Sequence, residues 1–140
     1  AADLHTPSFS QRIVYEAVQD GFLDAHIPTI RTLYARQCEL MLDALDRYFP
    51  AEATWNKPEG GMFIWVNLPK GVDSAKLLAK AIEQNVAFVP GAPFYAVDPV
   101  PNTLRLSFVT VPQDKIEIGM QKLGALLKAE IAGLSATAAA

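Results

Sequence analysis

Arg105 stands inside "NTLRLSFVT", residues 102–110, where Leu104, Leu106 and Phe108 alternate with other residue types. A strand with that period turns the leucines to one face and Arg105, with Ser107, to the other. Two chemistries are open to an arginine so placed. One is structural: an edge-strand side chain with its stem along the sheet and its head in water, or one paired with an Asp or Glu of the same chain. The other is anion recognition, because the planar fork of guanidinium donors matches a carboxylate in two parallel hydrogen bonds and a rigid strand would aim it. For a lone arginine, the pattern by itself favours the structural role.

Other reactive residue types offer less. His5 and His26 lack the neighbouring ligands a metal needs, so no metal site is expected, and His5 beside Thr6 reads as part of a helix cap. There is no G-x-S-x-G elbow, no G-x-G-x-x-G after a strand and no Walker-type loop. "EGGMF" is too short to cradle a phosphate. Met41, Met62 and Met120 fall on apolar faces and read as core. The single Cys38 cannot form an internal disulfide and is expected as a reduced, buried thiol. Lys57, Lys70, Lys76, Lys80, Lys115, Lys122 and Lys128 all fall at expected turns or polar helix positions, and none carries the marks of a covalent-catalysis nucleophile.

Several elements must hold these residues. Thr6-Pro7 signals a helix start, and Phe9, Ile13, Val14 and Ala17 follow at helical spacing until Gly21. From Pro28 to about Tyr48, the residues Tyr34, Cys38, Met41, Leu45 and Tyr48 recur at steps of four and three, widened by Ile30, Leu33 and Leu40, which predicts a long helix closed by Pro50. In "EGGMFIWVNLP", residues 59–69, both alternating sets are apolar, which predicts a strand covered on both sides. Asp73 or Ser74 caps a helix with Leu77, Leu78, Ala81 and Ile82 on its buried face, ending near Asn85. "VAFV", residues 86–89, reads as a second strand, and the proline-rich stretch from Ala92 to Pro101 as an irregular loop. After the Arg105 strand, Thr110 and Pro112 start a last helix with Ile116, Met120, Leu123 and Leu127 inward. The order predicts a two-layer α/β (α+β) sandwich, helices packed on a small sheet.

A chain of 140 residues that is 51% hydrophobic can enclose one core. Its net charge of -3, with scattered Lys and Arg, argues against nucleic acid as a partner. The apolar runs are shorter than a membrane span and no secretory signal is visible, so a cytoplasmic setting is expected. The opening "AADLHTPSFSQ" lacks an initiator Met and already approaches a helix, which leaves open whether the chain is whole. The long helix and the two-sided strand should leave apolar surface in want of a partner.

Three segments in order, "PEGGMFIWVNLP", "VAFVPGAPF" and "NTLRLSFV", followed by "KIEIGMQKLGALL", resemble the C-terminal part of class I/II aminotransferases of PLP fold type I. The branch they are most similar to is that of the 2-aminoadipate aminotransferase-like enzymes, whose relatives also form the effector half of MocR-type regulators. "HIPTIRTLYARQ" and the opening resemble the passage from the large to the small domain of those proteins. The resemblance implies a small, mainly antiparallel sheet, with residues 1–27 leading from an absent large domain, 28–134 as the small domain with a connecting helix, and 135–140 as a frayed tail.

It further implies that Arg105 binds the α-carboxylate of an amino-acid substrate, with Gly60 and Gly61 near that substrate and Pro90, Gly91 and Phe94 near the mouth of the site. The cofactor would be PLP, bound mainly by the large domain, and the Schiff-base lysine would lie upstream. No catalytic residue is expected in this chain, which alone should be inactive. "SFSQ", Ser8 to Gln11, is not that lysine motif, because a helical "RIVYEA" follows it. The expected partners are an amino acid and a 2-oxo acid, the missing large domain, and a second copy of the parent in a homodimer. Other readings stand beside transamination: the effector-binding half of a MocR-type regulator, a free-standing α/β module in which Arg105 makes a structural salt bridge, and a lyase or decarboxylase on the same scaffold.

Overall fold

The computed structural model describes residues 4–138. Those up to Ala35 and those from Arg36 form two compact units, and helix α2 (Phe22–Tyr48) contributes residues to both.

In the first unit, α1 spans Ser8–Val18. Pro7, not Thr6, occupies the N-cap position, and no side chain caps the helix. The Thr6 hydroxyl is thus not the cap; its carbonyl accepts from Gln11 Nε2 at 2.7 Å and lies 2.8 Å from His5 Nδ1. None of α1 is buried, so the helical stripe of Phe9, Ile13 and Val14 is exposed rather than packed. Asp20 and Gly21, with φ of 62° and 79°, reverse the chain between the two helices. Helix α2 starts at Phe22, earlier than the expected Pro28, which lies inside it. Proline there removes only the bond to the Asp24 carbonyl in the first turn, so the helix survives it.

In the second unit, four strands form an antiparallel sheet in the order β1-β2-β4-β3, with β1 Thr54–Trp55, β2 Phe63–Asn67, β3 Val89–Pro90 and β4 Thr103–Ser107. Strand β1 has no sequence signal of its own; Asn56 extends its pairing, its Oδ1 accepting from Trp65 N at 2.7 Å. The "VAFV" strand is displaced toward Val89–Pro90, because Val86 and Phe88 turn inward as core residues before pairing begins.

One face of the sheet carries Ile64, Val66, Leu104 and Leu106, all at most 2% exposed. It shares the core with Met41 and Leu45 of α2, with Leu77 and Ala81 of α3 (Ser74–Glu83), and with Ile116, Met120, Leu123 and Leu127 of α4 (Gln113–Ala138). Asp73 caps α3, its carboxylate accepting from the Ala75 and Lys76 amides. Several inward positions differ from the sequence reading: Met62, expected in the core, is 40% exposed, and Leu33 of the α2 stripe 47%. Ile82 is 57% exposed, and Cys38 is only half-buried, its thiol pushed up by desolvation and then by Glu39. Gln37 takes a buried position on α2 and donates to the Val111 carbonyl at 3.1 Å. Beyond Leu127, α4 runs to Ala138, into the segment expected to fray, since alanine gives up no side-chain entropy in a helix.

The other face of β2 is not covered. Phe63 is exposed and Trp65 half-buried, so the expected two-sided burial holds for one side only.

Candidate functional site

That open face is where Arg105 lies. Strand β4 is internal: β2 pairs with it on one side and β3 on the other, so that Arg105 stands opposite both Trp65 and Val89. An edge-strand arginine is therefore ruled out. Alternation turns Arg105 and Ser107 away from the core while Leu104 and Leu106 are sealed into it. The strand cannot twist its arginine aside without exposing those leucines.

Two phenyl rings converge on the side chain. The guanidinium carbon lies 3.9 Å from the ring centre of Phe63, on β2, and 4.9 Å from that of Phe94. Phe94 arrives on a short 3-10 turn, Ala92–Phe94, that follows β3. It meets Trp65 edge to face at 5.6 Å and 83°, and Tyr95 leans on the same indole at 6.2 Å. Among the described residues, no carboxylate comes within ion-pair distance of Arg105 and its N–H groups have no hydrogen-bond acceptor. The structural salt bridge weighed from sequence is not formed with any of them. A cleft of about 800 Å³ opens beside it, lined among others by Phe63, Val89, Arg105, Ser107, Lys115 and Lys122. The Ser107 hydroxyl is buried at the cleft wall without a hydrogen-bond partner.

The remaining expected site residues divide. Pro90 pairs with Leu104, and the Gly91 amide donates to the Thr103 carbonyl at 2.7 Å, so both are adjacent to the arginine's strand. A Cβ on Gly91 would lie 2.1 Å from Thr103 Oγ1, which makes glycine a packing requirement there. Phe94 is in contact with the guanidinium rather than only near a mouth. Gly60 and Gly61 are exposed with nothing within 4 Å of an added Cβ, and Gly61 needs its freedom for a φ of 82°. They border open space. Sequence reasoning placed Ser107 on the face of Arg105 but missed Phe63 and Trp65 as neighbours; their shared parity was visible, but the β2–β4 register that brings them to Arg105 was not.

Away from this face, Glu117 on α4 accepts from Tyr48 Oη at 2.6 Å and from Arg47 at 2.7 Å. The Tyr48 hydrogen bond, then that of Arg47, lowers the Glu117 carboxyl, while the same contact raises the Tyr48 phenol. This cluster braces α2 against α4. Among the described residues there is no group of three or more His, Cys, Asp or Glu able to hold a metal, and no helix long and apolar enough to cross a membrane.

The family model described as aminotransferase class I and II matches residues 1–123. The chain belongs to the class I and II aminotransferase family. It is 44% identical over 131 residues to the aromatic-amino-acid aminotransferase 1 of Thermococcus litoralis, covering 94% of this chain and 31% of that protein. Among solved structures, the α-aminoadipate aminotransferase of Thermus thermophilus, complexed with N-(5'-phosphopyridoxyl)-L-leucine, superposes with a TM-score of 0.84 at 44% identity over 94% of this chain and 33% of that one. The kynurenine aminotransferase of Pyrococcus horikoshii gives 0.83 at 48% identity, over 91% and 32%. This aminotransferase chain thus spans about a third of the length of the relatives it matches. The matched region contains Arg105 and every other expected site residue.

Proposed function

We propose that this chain is the C-terminal, substrate-facing part of a PLP-dependent transaminase that moves an amino group between an amino acid and a 2-oxo acid, with Arg105 holding the substrate α-carboxylate. The observation that carries this is a guanidinium on an internal strand, aimed out of the core beside a cleft, with its charge and its N–H donors unclaimed among the described residues. A planar two-oxygen anion is the partner such a fork fits best.

Every lysine of the chain is exposed, and none is enclosed as a covalent attachment point would need to be. The residues present therefore suit the substrate side of the site, and PLP is held by sequence outside this chain. When bound, PLP supplies the electron sink of the reaction. Arg105 contributes orientation: two parallel hydrogen bonds fix the substrate's carboxylate and so direct its amino end. Phe63 and Phe94 keep water from the flanks of that ion pair, which strengthens it.

The test compares an amino acid with its carboxamide in single-turnover half-reactions of the intact enzyme. Wild type should prefer the acid strongly, and Arg105→Ala should bring the ratio of the two rates toward one. An unchanged ratio would remove the carboxylate role.

A further inference from the structure

We infer that Phe63 and Phe94 are positioning residues for Arg105, a pair of rings that hold the guanidinium in place while leaving its donors and its charge free for the substrate. The inference rests on the carboxylate reading above. A flexible arginine side chain carries about 2 kcal/mol of rotamer entropy, so a receptor built from it needs something to hold it before the ligand arrives.

Proteins have two ways to do so. An Asp or Glu would fix the fork but would occupy N–H groups and neutralise the charge that the ligand must meet. Aromatic rings act through the π-face on the guanidinium carbon, at 3.9 Å and 4.9 Å here, and consume no donor. Only the second device is present around Arg105 among the described residues.

The rings come from two separate elements, and β2 places both. Phe63 is placed by the β2–β4 register, where it pairs with Ser107. Phe94 is placed by its edge-to-face contact with Trp65, itself directly opposite Arg105. Phe94 is also 52% exposed, which is costly for a ring that serves only the core and reasonable for one whose partner is the guanidinium.

The experiment is a double-mutant cycle in the intact enzyme, read as kcat/KM for an amino acid. Phe94→Leu should lower it roughly five-fold, the scale of one cation–π contact. Phe94→Tyr, which keeps the ring face, should stay within about two-fold. In the Arg105→Ala background, Phe94→Leu should change nothing further, and Phe63→Leu should behave alike. A Phe94→Leu loss that persists in full without Arg105 overturns the positioning role while leaving the carboxylate reading intact. An Arg105→Ala enzyme that keeps the acid-over-carboxamide preference defeats the carboxylate reading instead. A readout independent of turnover is the Arg105 Nε–H resonance of the chain, which should move when either ring is replaced; no movement overturns the contact.

Discussion

Gly91→Ala probes the hinge between β3 and the turn that delivers Phe94. The Gly91 φ of -82° is open to alanine, so chain entropy alone would favour the substitution by about 0.4–1 kcal/mol. Sterics oppose it. The new Cβ would sit 2.1 Å from Thr103 Oγ1, 2.7 Å from Thr103 Cβ and 2.9 Å from its carbonyl carbon. Rotating the threonine away breaks its hydrogen bond to the Val100 carbonyl, and separating the backbones stretches the Gly91–Thr103 bond, each a loss of about 1 kcal/mol. Overpacking of this kind costs about 1–3 kcal/mol. Since part of that strain is what the broken bonds relieve, the net expected loss is about 2 kcal/mol. Urea denaturation of the chain measures it. Thr103→Ala in the Gly91→Ala background should recover only a part, because the Cβ and carbonyl carbon of residue 103 remain in the way. A Gly91→Ala protein within about 0.5 kcal/mol of wild type would show that β3 moves freely against β4, and the reasoning would fail.

Four further outcomes are expected. Arg105→Lys keeps the charge but loses the fork, so kcat/KM of the intact enzyme for amino acids should fall about ten- to a hundred-fold; near-normal turnover would contradict bidentate binding. Leu104→Ala, at a position with no exposure on an internal strand, should cost about 2–5 kcal/mol in denaturant unfolding. Asp73→Ala removes the acceptor of two helix amides and should cost about 1 kcal/mol, with a null effect showing that water replaces the cap. Glu117 has a folded-state pKa below its unfolded one, so its contribution is present above the unfolded carboxyl's value and is lost as pH falls through the folded one. The stability gap between wild type and Glu117→Gln should accordingly close on acidification, and a gap that persists at low pH would assign it to packing.

Much of this protein was readable one residue after another. The inward set of α4, the Asp73 cap and the leucine face of β4 follow from local period and side-chain type, and the structure keeps them; Arg105 was singled out by its place in that strand and by motifs in family order. Periodicity also misled where it was right about type but silent about partners: the α1 stripe is regular yet exposed, and Pro28 reads as a start although it lies within α2. Whether Arg105 sat at an edge or inside the sheet could not be read at all. That depends on β3, two residues long, finding β4 across a proline-rich loop, and on a β2–β4 register that sets Phe63 and Trp65 on the arginine's side. Strand order and register are set by contacts between residues far apart in the chain, where no local pattern carries information. The sequence by itself determined the element types and the inward sets of β4 and α4; only tertiary pairing decided which faces stay open and which side chains meet there, and therefore that the arginine lies against two rings with no acceptor for its donors among the described residues.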